Sequence, residues 1–182
     1  MSKFLKGILV SGLGYHEDTD ISYAPTSHYI MEGVVEELGL RDELLEGFYN
    51  DGYHVSDTLK VGDTIRVFWW GVDKGEKIGD FTRIEYNHVV GIMKGKELIP
   101  INGNVLFESD NRKFGQIVSV ATDVEYYLID GEQVQIELPQ KGDYVKVKGA
   151  QRVEVGRRQT LDKKLYTCQA SNILVSSTYP IS

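Results

Sequence analysis

A catalytic or metal site in this chain would have to be built from four histidines, one cysteine and a few acidic pairs. His16 and His28 flank a polar stretch that also holds Asp18 and Asp20. A metal ion needs three or four such ligands converging on one point, so these four are read as solvated loop residues. His54 stands apart, and His88, just before Val89-Val90, reads as a satisfied strand-end residue. Cys168 ends an alternating run, Lys164–Cys168, with no histidine placed beside it, and reads as a small buried hydrophobe. A single cysteine excludes an intrachain disulfide and a zinc site built on paired thiolates. Gly-x-Ser-x-Gly is absent, and so is a Walker-type phosphate loop. Gly12-Leu13-Gly14 lacks the remaining glycine and the helix of a dinucleotide fingerprint. Glu36-Glu37 and Glu43–Glu46 read as a solvated face. The expectation is a protein that is not an enzyme and holds neither cofactor nor metal.

Binding chemistry is better represented. Phe68, Trp69 and Trp70 end a predicted strand, where alternation must turn at least one of them outward; exposed tryptophan favours an interface. Between Lys141 and Lys164 eight Lys or Arg face three acids, while the whole chain carries −7. Lys146 and Lys148 share one strand face. With Arg152, Arg157, Arg158, Lys163 and Lys164 they form a candidate basic patch, to which Tyr144 and Tyr166 could add stacking surfaces. One expectation is a nucleic-acid-binding barrel. The favoured one is charge pairing between acidic and basic halves of neighbouring copies, which suits head-to-tail assembly.

The elements that must position these residues are strands. The chain has 182 residues, 41% apolar and 26% charged, enough for a packed core in one domain or two small ones. Short apolar or alternating runs recur at Gly7–Val10, Gly33–Glu37, Asp63–Trp70, Phe81–Tyr86, Val89–Met93, Asn104–Glu108, Gln116–Ala121, Glu125–Ile129, Gln133–Leu138, Asp143–Lys148, Val153–Val155, Lys164–Cys168 and Ile173–Val175. Asp130-Gly131 between two such runs predicts a tight hairpin. Val34–Leu45 is the one helical candidate, with a strand and a short turn as its rival. The N-terminal apolar run stops at Ser11-Gly12, too short for a signal core or a membrane span. The expected setting is a soluble protein in the cytoplasm, with no membrane partner.

Four segments occur twice in the same order. Gly7-Ile8-Leu9-Val10 is similar to Gly103-Asn104-Val105-Leu106, and Gly33-Val34-Val35 to Gly115-Gln116-Ile117-Val118. Lys60-Val61-Gly62-Asp63 is similar to Gln140-Lys141-Gly142-Asp143. Phe81–Val90 is similar to Leu165–Leu174. The first copy carries about 14 extra residues, Tyr15–His28, between its first two strands; a long insertion of this kind in a compact β unit is usually functional. The boundary is expected at Gly95–Ile99, dividing the chain into 1–97, with a long loop at 11–32, and 98–182, with a short one.

The doubled order resembles the GroES-like co-chaperonin fold. The carrying residues are Leu59-Lys60-Val61-Gly62-Asp63-Thr64-Ile65, then Gly71-Val72-Asp73-Lys74-Gly75-Glu76-Lys77-Ile78, and Lys141-Gly142-Asp143-Tyr144-Val145 with Ser171-Asn172-Ile173-Leu174-Val175 in the second half. The resemblance implies an all-β chain of two tandem small β-barrels. It also implies a homo-oligomeric ring, with interfaces formed by first and last strands, here Phe4–Val10 and Ile173–Tyr179. In the family a mobile loop docks an apolar tripeptide on a chaperonin ring. Here Ile21-Ser22-Tyr23 or Tyr29-Ile30-Met31 stands in that place, and neither has the usual Gly-Gly-Ile-(Val/Met)-Leu pattern. The second half has only Ser109–Lys113. The alternative is a structural or assembly component, for example of a virus particle, that reuses the fold among other virion proteins in host cytoplasm or virion.

Overall fold

The computed structural model describes residues 4–14, 30–40, 44–45, 52–54, 58–124, 127–129, 132–135, 137–153 and 164–181, and the statements below concern these. Branched and aromatic residues at alternate positions make strands of most of them. The first half holds β1 (Ile8–Gly14), β2 (Met31–Leu38), β3 (Leu44–Leu45), β4 (Gly52–His54) and β5 (Thr64–Val67). There follow α1 (Trp69–Asp73), β6 (Glu76–Ile78), β7 (Phe81–Ile84), β8 (Val89–Lys94) and β9 (Glu97–Pro100). The second half holds β10 (Asn104–Ser109), β11 (Phe114–Val120), β12 (Tyr127–Ile129), β13 (Glu132–Val134), β14 (Tyr144–Val147), β15 (Gln151–Arg152), β16 (Lys164–Gln169) and β17 (Ile173–Ser177).

The fold is all-β, built mainly on two antiparallel sheets. One has the order β6-β7-β1-β2-β5-β8-β9 and the other β15-β16-β10-β11-β14-β17. Remove β9 and the two orders correspond strand for strand: β7 matches β16, β1 matches β10, β2 matches β11, β5 matches β14 and β8 matches β17. The irregularities correspond too. The β1–β2 ladder slips between Leu9 and Val10, and the β10–β11 ladder between Leu106 and Phe107. The β5–β8 ladder slips between Arg66 and Val67, and the β14–β17 ladder between Lys146 and Val147. Bulges are specific local features, so sharing both ties the two halves closely.

The repeated Gly-Asp turns are alike in detail. Gly62 has φ 94° and Gly142 φ 92°, a left-handed region that favours glycine. Asp63 Oδ2 accepts from the Lys60 backbone N–H at 2.8 Å, and Asp143 Oδ2 from that of Gln140 at 2.8 Å. Gly33 and Gly115 answer a different need. A Cβ on Gly33 would sit 2.6 Å from Val10 Cγ1, and one on Gly115 would sit 2.4 Å from the Glu108 carbonyl oxygen. Each lets the second strand lie close on the first.

Several expectations are corrected. The helix expected from Val34 is a strand: Met31–Leu38 is β2, with Val35 buried and Val34 and Glu36 outward, and Leu44–Leu45 is β3, while residues 41–43 lie outside the described residues. The Asp63–Trp70 run stops at Val67, where the chain turns into α1. Val153 lies just outside β15. Among the described residues no ladder joins the two edges of either sheet. Each sheet carries its own core. Ile8, Val10, Val35, Ile65, Val67, Ile84 and Val89 meet in the first, and Val105, Phe107, Ile117, Val145, Val147 and Tyr166 in the second. Residues 130–131, the predicted turn, lie outside the described residues; the strands on either side pair, with Ile129 opposite Glu132 in the β12–β13 ladder.

Candidate functional site

The two sheets meet at a joint, and the same joint shows which surfaces stay open. The chain crosses from the first sheet to the second at Ile101–Asn104. Asn102 has φ 59° and Gly103 φ 70°, and the Asn104 N–H donates to the Ile101 carbonyl at 3.2 Å. Consecutive positive φ values are what Asn-Gly favours in a tight turn. β9, which a boundary at 97/98 would cut after its first residue, is the last strand of the first sheet, pairing with β8.

Hydrogen bonds hold this turn from both sides. The Asn102 side-chain amide donates to the carbonyls of Tyr86 at 2.8 Å and Val89 at 2.9 Å, in the first unit. The Asp123 carboxylate, in the second unit, accepts from the Asn102 N–H at 2.6 Å and the Gly103 N–H at 3.2 Å. Above the turn lies a third apolar cluster. Ile30, Phe68, Val90 and Leu98 of the first unit pack with Leu106 and Val153 of the second.

This joint is not two-fold symmetric. It sets the outer side of β8 and β9 in one unit against β10 and the neighbourhood of β15 in the other. Its repeat partners are therefore elsewhere on the chain. Val67 faces Val89 as Val147 faces Ile173, so the next residue along, Val90, corresponds to Leu174. Val90 is 0% exposed, whereas Leu174 is 56% exposed and the adjoining Val175 46%. β8 carries β9 on its outer edge, while β17 is an edge strand.

The ladder also fixes what corresponds to the turn. Ile8 faces Ile84 as Val105 faces Cys168, and the Gly39 N–H bonds the Gly7 carbonyl as the Ala121 N–H bonds that of Asn104. Gly7 therefore matches Asn104, one residue from the sequence alignment to Gly103. On that register Ile101, buried in the first core, corresponds to Phe4, which is 70% exposed.

The predicted site residues fall out as follows. Ile21, Ser22, Tyr23 and Tyr29 lie outside the described residues. Ile30 is 1% exposed within the joint cluster, so docking through it requires leaving that cluster; Met31 begins β2 and is half-buried. Phe68 is buried and its ring stacks on Trp70 at 4.3 Å and 11°, with Trp70 packed against the joint cluster. Trp69 is in α1, and strand alternation does not reach it.

In the basic run, Lys146 Nζ lies 5.6 Å from the centre of the Phe114 ring, Lys148 is exposed, Arg152 is in β15 and Lys164 opens β16. Arg157, Arg158 and Lys163 lie outside the described residues. Arg112, outside the run, lies over the ring of Tyr166 at 5.6 Å.

His88 is buried against Gly71, where a Cβ would come within 2.3 Å of His88 Cβ. Burial lowers its pKa, Lys74 adds to the lowering and Glu85 opposes it. Cys168 is buried in the second core, and burial pushes its thiol up to about 12. A cleft of about 900 Å³ opens beside the joint, between Trp70, Lys74 and His88 of one unit and Gln151, Thr167 and Asn172 of the other. Among the described residues no three His, Cys, Asp or Glu gather as metal ligands, and no helix is long and apolar enough to cross a membrane.

The residues that sequence reading missed are Asn102 and Asp123. Asn102-Gly103 carried a usable turn signal; Asp123 carried none, because its partners are backbone groups 20 and 21 residues away. Comparisons with protein-family models, curated proteins and solved structures return no match.

Proposed function

We propose that the chain is a non-enzymatic, self-assembling protein of GroES-like type. Its copies associate head to tail, and its insertion at 15–28 meets a partner. The observation that carries this reading is the pair Val90 and Leu174. Inside one chain the Val90 position is sealed by the second unit. The matching Leu174 position is open, beside an edge strand. A second copy presenting Phe4 where Ile101 sits repeats the joint. A heterologous contact repeated in this way gives a closed ring or an open filament.

The partner is read as a chaperonin ring, engaged through Ile21–Tyr23. What supports this is the doubled segment order and the place of the insertion between β1 and β2. In a structural assembly component, the alternative, the same contacts build the particle and no chaperonin is bound.

Mass photometry of the full chain, beside a Leu174→Asp variant, tests the assembly. Oligomers in the parent and monomers in the variant are expected; a monomeric parent at all concentrations overturns the reading. Capture by a bacterial chaperonin with and without ADP, using an Ile21→Ser, Tyr23→Ser variant, tests the partner. Assembly without capture in any nucleotide state selects the structural alternative.

A further inference from the structure

A small third sheet sits apart from the other two, with the order β13-β12-β4-β3. It is made of two hairpins. β3 and β4 come from the first unit, between β2 and β5; β12 and β13 come from the second, between β11 and β14. The hairpins therefore occupy matching places in the repeat. They join through β4 and β12, with Tyr53 opposite Tyr127 and Gly52 opposite Leu128, antiparallel.

The pairing is again heterologous. The trailing strand of the first hairpin meets the leading strand of the second. Among the described residues, the two edges are the leading strand of the first, β3, and the trailing strand of the second, β13. Unpaired edges present backbone donors and acceptors ready for another strand. All three ladders of this sheet are antiparallel, so a β3 placed beside β13 continues the alternation.

We infer that β13 of one copy pairs antiparallel with β3 of the next, so that the third sheets of successive copies join into a continuous band. This rests on the head-to-tail reading and names a second seam within it. The occupant is a second copy, because β4 and β12 already make this contact once within the chain. Strands of two and three residues hold little by themselves. The seam closes once the β17 face has brought the copies together.

The register follows from the repeat. Gly33 faces Ile65 as Gly115 faces Val145. Counted forward from the match of Gly33 with Gly115, Leu45 corresponds to Tyr127. The hairpin ladders pair Leu45 with Tyr53 and Tyr127 with Val134, so Tyr53 corresponds to Val134. The Tyr53–Tyr127 pair within the chain predicts Val134 opposite Leu45 between copies. Within one chain these two lie on strands three spacings apart, about 14 Å. A disulfide needs Cα atoms within ~7 Å, so a bond between them can form only between copies.

The test is oxidative cross-linking of the full chain carrying Leu45→Cys and Val134→Cys, with Leu45→Cys and Gln133→Cys as a second pair one residue away. The native cysteine, Cys168, is buried and the parent serves as its control. Circular dichroism confirms folding, and mass photometry of the uncross-linked sample reports assembly. The expected result is a reducible ladder of dimers and larger species from a double variant, with at most dimers from each single substitution. Oligomers by mass photometry without a ladder from either pair overturn this seam and leave the assembly reading standing. Monomers alone, with no ladder, overturn both.

Discussion

Val90 and Leu174 hold the same position in two matching sheets, one sealed and the other open. Each follows a 3-10 turn, Tyr86–His88 in one unit and Ala170–Asn172 in the other, and each lies in the strand beside the Gly-Asp strand. Val90 is 0% exposed and Leu174 56%. The same substitution should therefore act differently at the two sites. Val90→Asp places an unpaired carboxylate in the joint, and burying a polar group without partners costs several kcal/mol, here about 3 or more. Leu174→Asp should leave the chain's unfolding free energy within about 0.5 kcal/mol of the parent's under conditions where both are monomeric. Chemical denaturation of both variants checks the contrast.

Asn102 ties the turn to the first unit through two donated hydrogen bonds. Asn102→Ala should remove both and place a Cβ-bearing, non-amide residue at φ 59°. Asn102→Gly keeps the conformation and loses only the amide. Leaving two buried carbonyls unsatisfied costs about 1–3 kcal/mol each at most, and the alanine variant should lose roughly 1 kcal/mol more from the backbone. Urea unfolding followed by tryptophan fluorescence and by far-ultraviolet circular dichroism should coincide in the parent. In both variants the first unit, which holds both tryptophans, should separate from the second. Coincident curves in all three proteins would refute a joint held by Asn102.

His88 gives the fold a pH dependence of defined sign. Its folded-state pKa is lowered, chiefly by burial, with Lys74 adding and Glu85 opposing. The unfolded chain therefore binds a proton more readily than the folded one. That contribution is fully present above the unfolded value of about 6.5 and is lost as pH falls below it. The difference in urea midpoint between parent and His88→Gln should shrink from about pH 7.5 to about pH 5.5. A difference independent of pH across that window would remove His88 as its source.

Cys168 should be inert. Its thiol is buried in the second core and pushed up to about 12, so thiolate is scarce at neutral pH and access is blocked. A disulfide reagent such as DTNB should label it at the rate of global unfolding, and fast, stoichiometric labelling of native protein would contradict the packing. Cys168→Ser should cost about 1–3 kcal/mol by burying a hydroxyl without a designed partner.

Much of the fold was legible because strands leave a local record. Alternation placed Ile65 and Val67, and Val145 and Val147, on inner faces. Asp130-Gly131 announced its hairpin, and Gly62-Asp63 with Gly142-Asp143 marked the matching turns. Val34–Leu45 misled because its leucines also fit helical spacing, and pairing to β1 and β5 decided the matter. The Phe68–Trp70 reading failed where the strand ended, since alternation has no meaning inside α1. The match of Gly7 with Gly103 slipped by one because identical glycines aligned where the ladder aligns Gly7 with Asn104.

What the sequence determined alone was periodicity, turn chemistry and the order of repeated segments, because each depends on residues close together in the chain. The tertiary structure decided which faces are covered. Val90 and Leu174 are similar residues in similar contexts, and no local signal separates them. Their difference arises because β9, Leu106 and Val153 are folded against one and not the other. Burial depends on the whole path of the chain, and so the open face at β17, on which the assembly reading rests, could be seen only there.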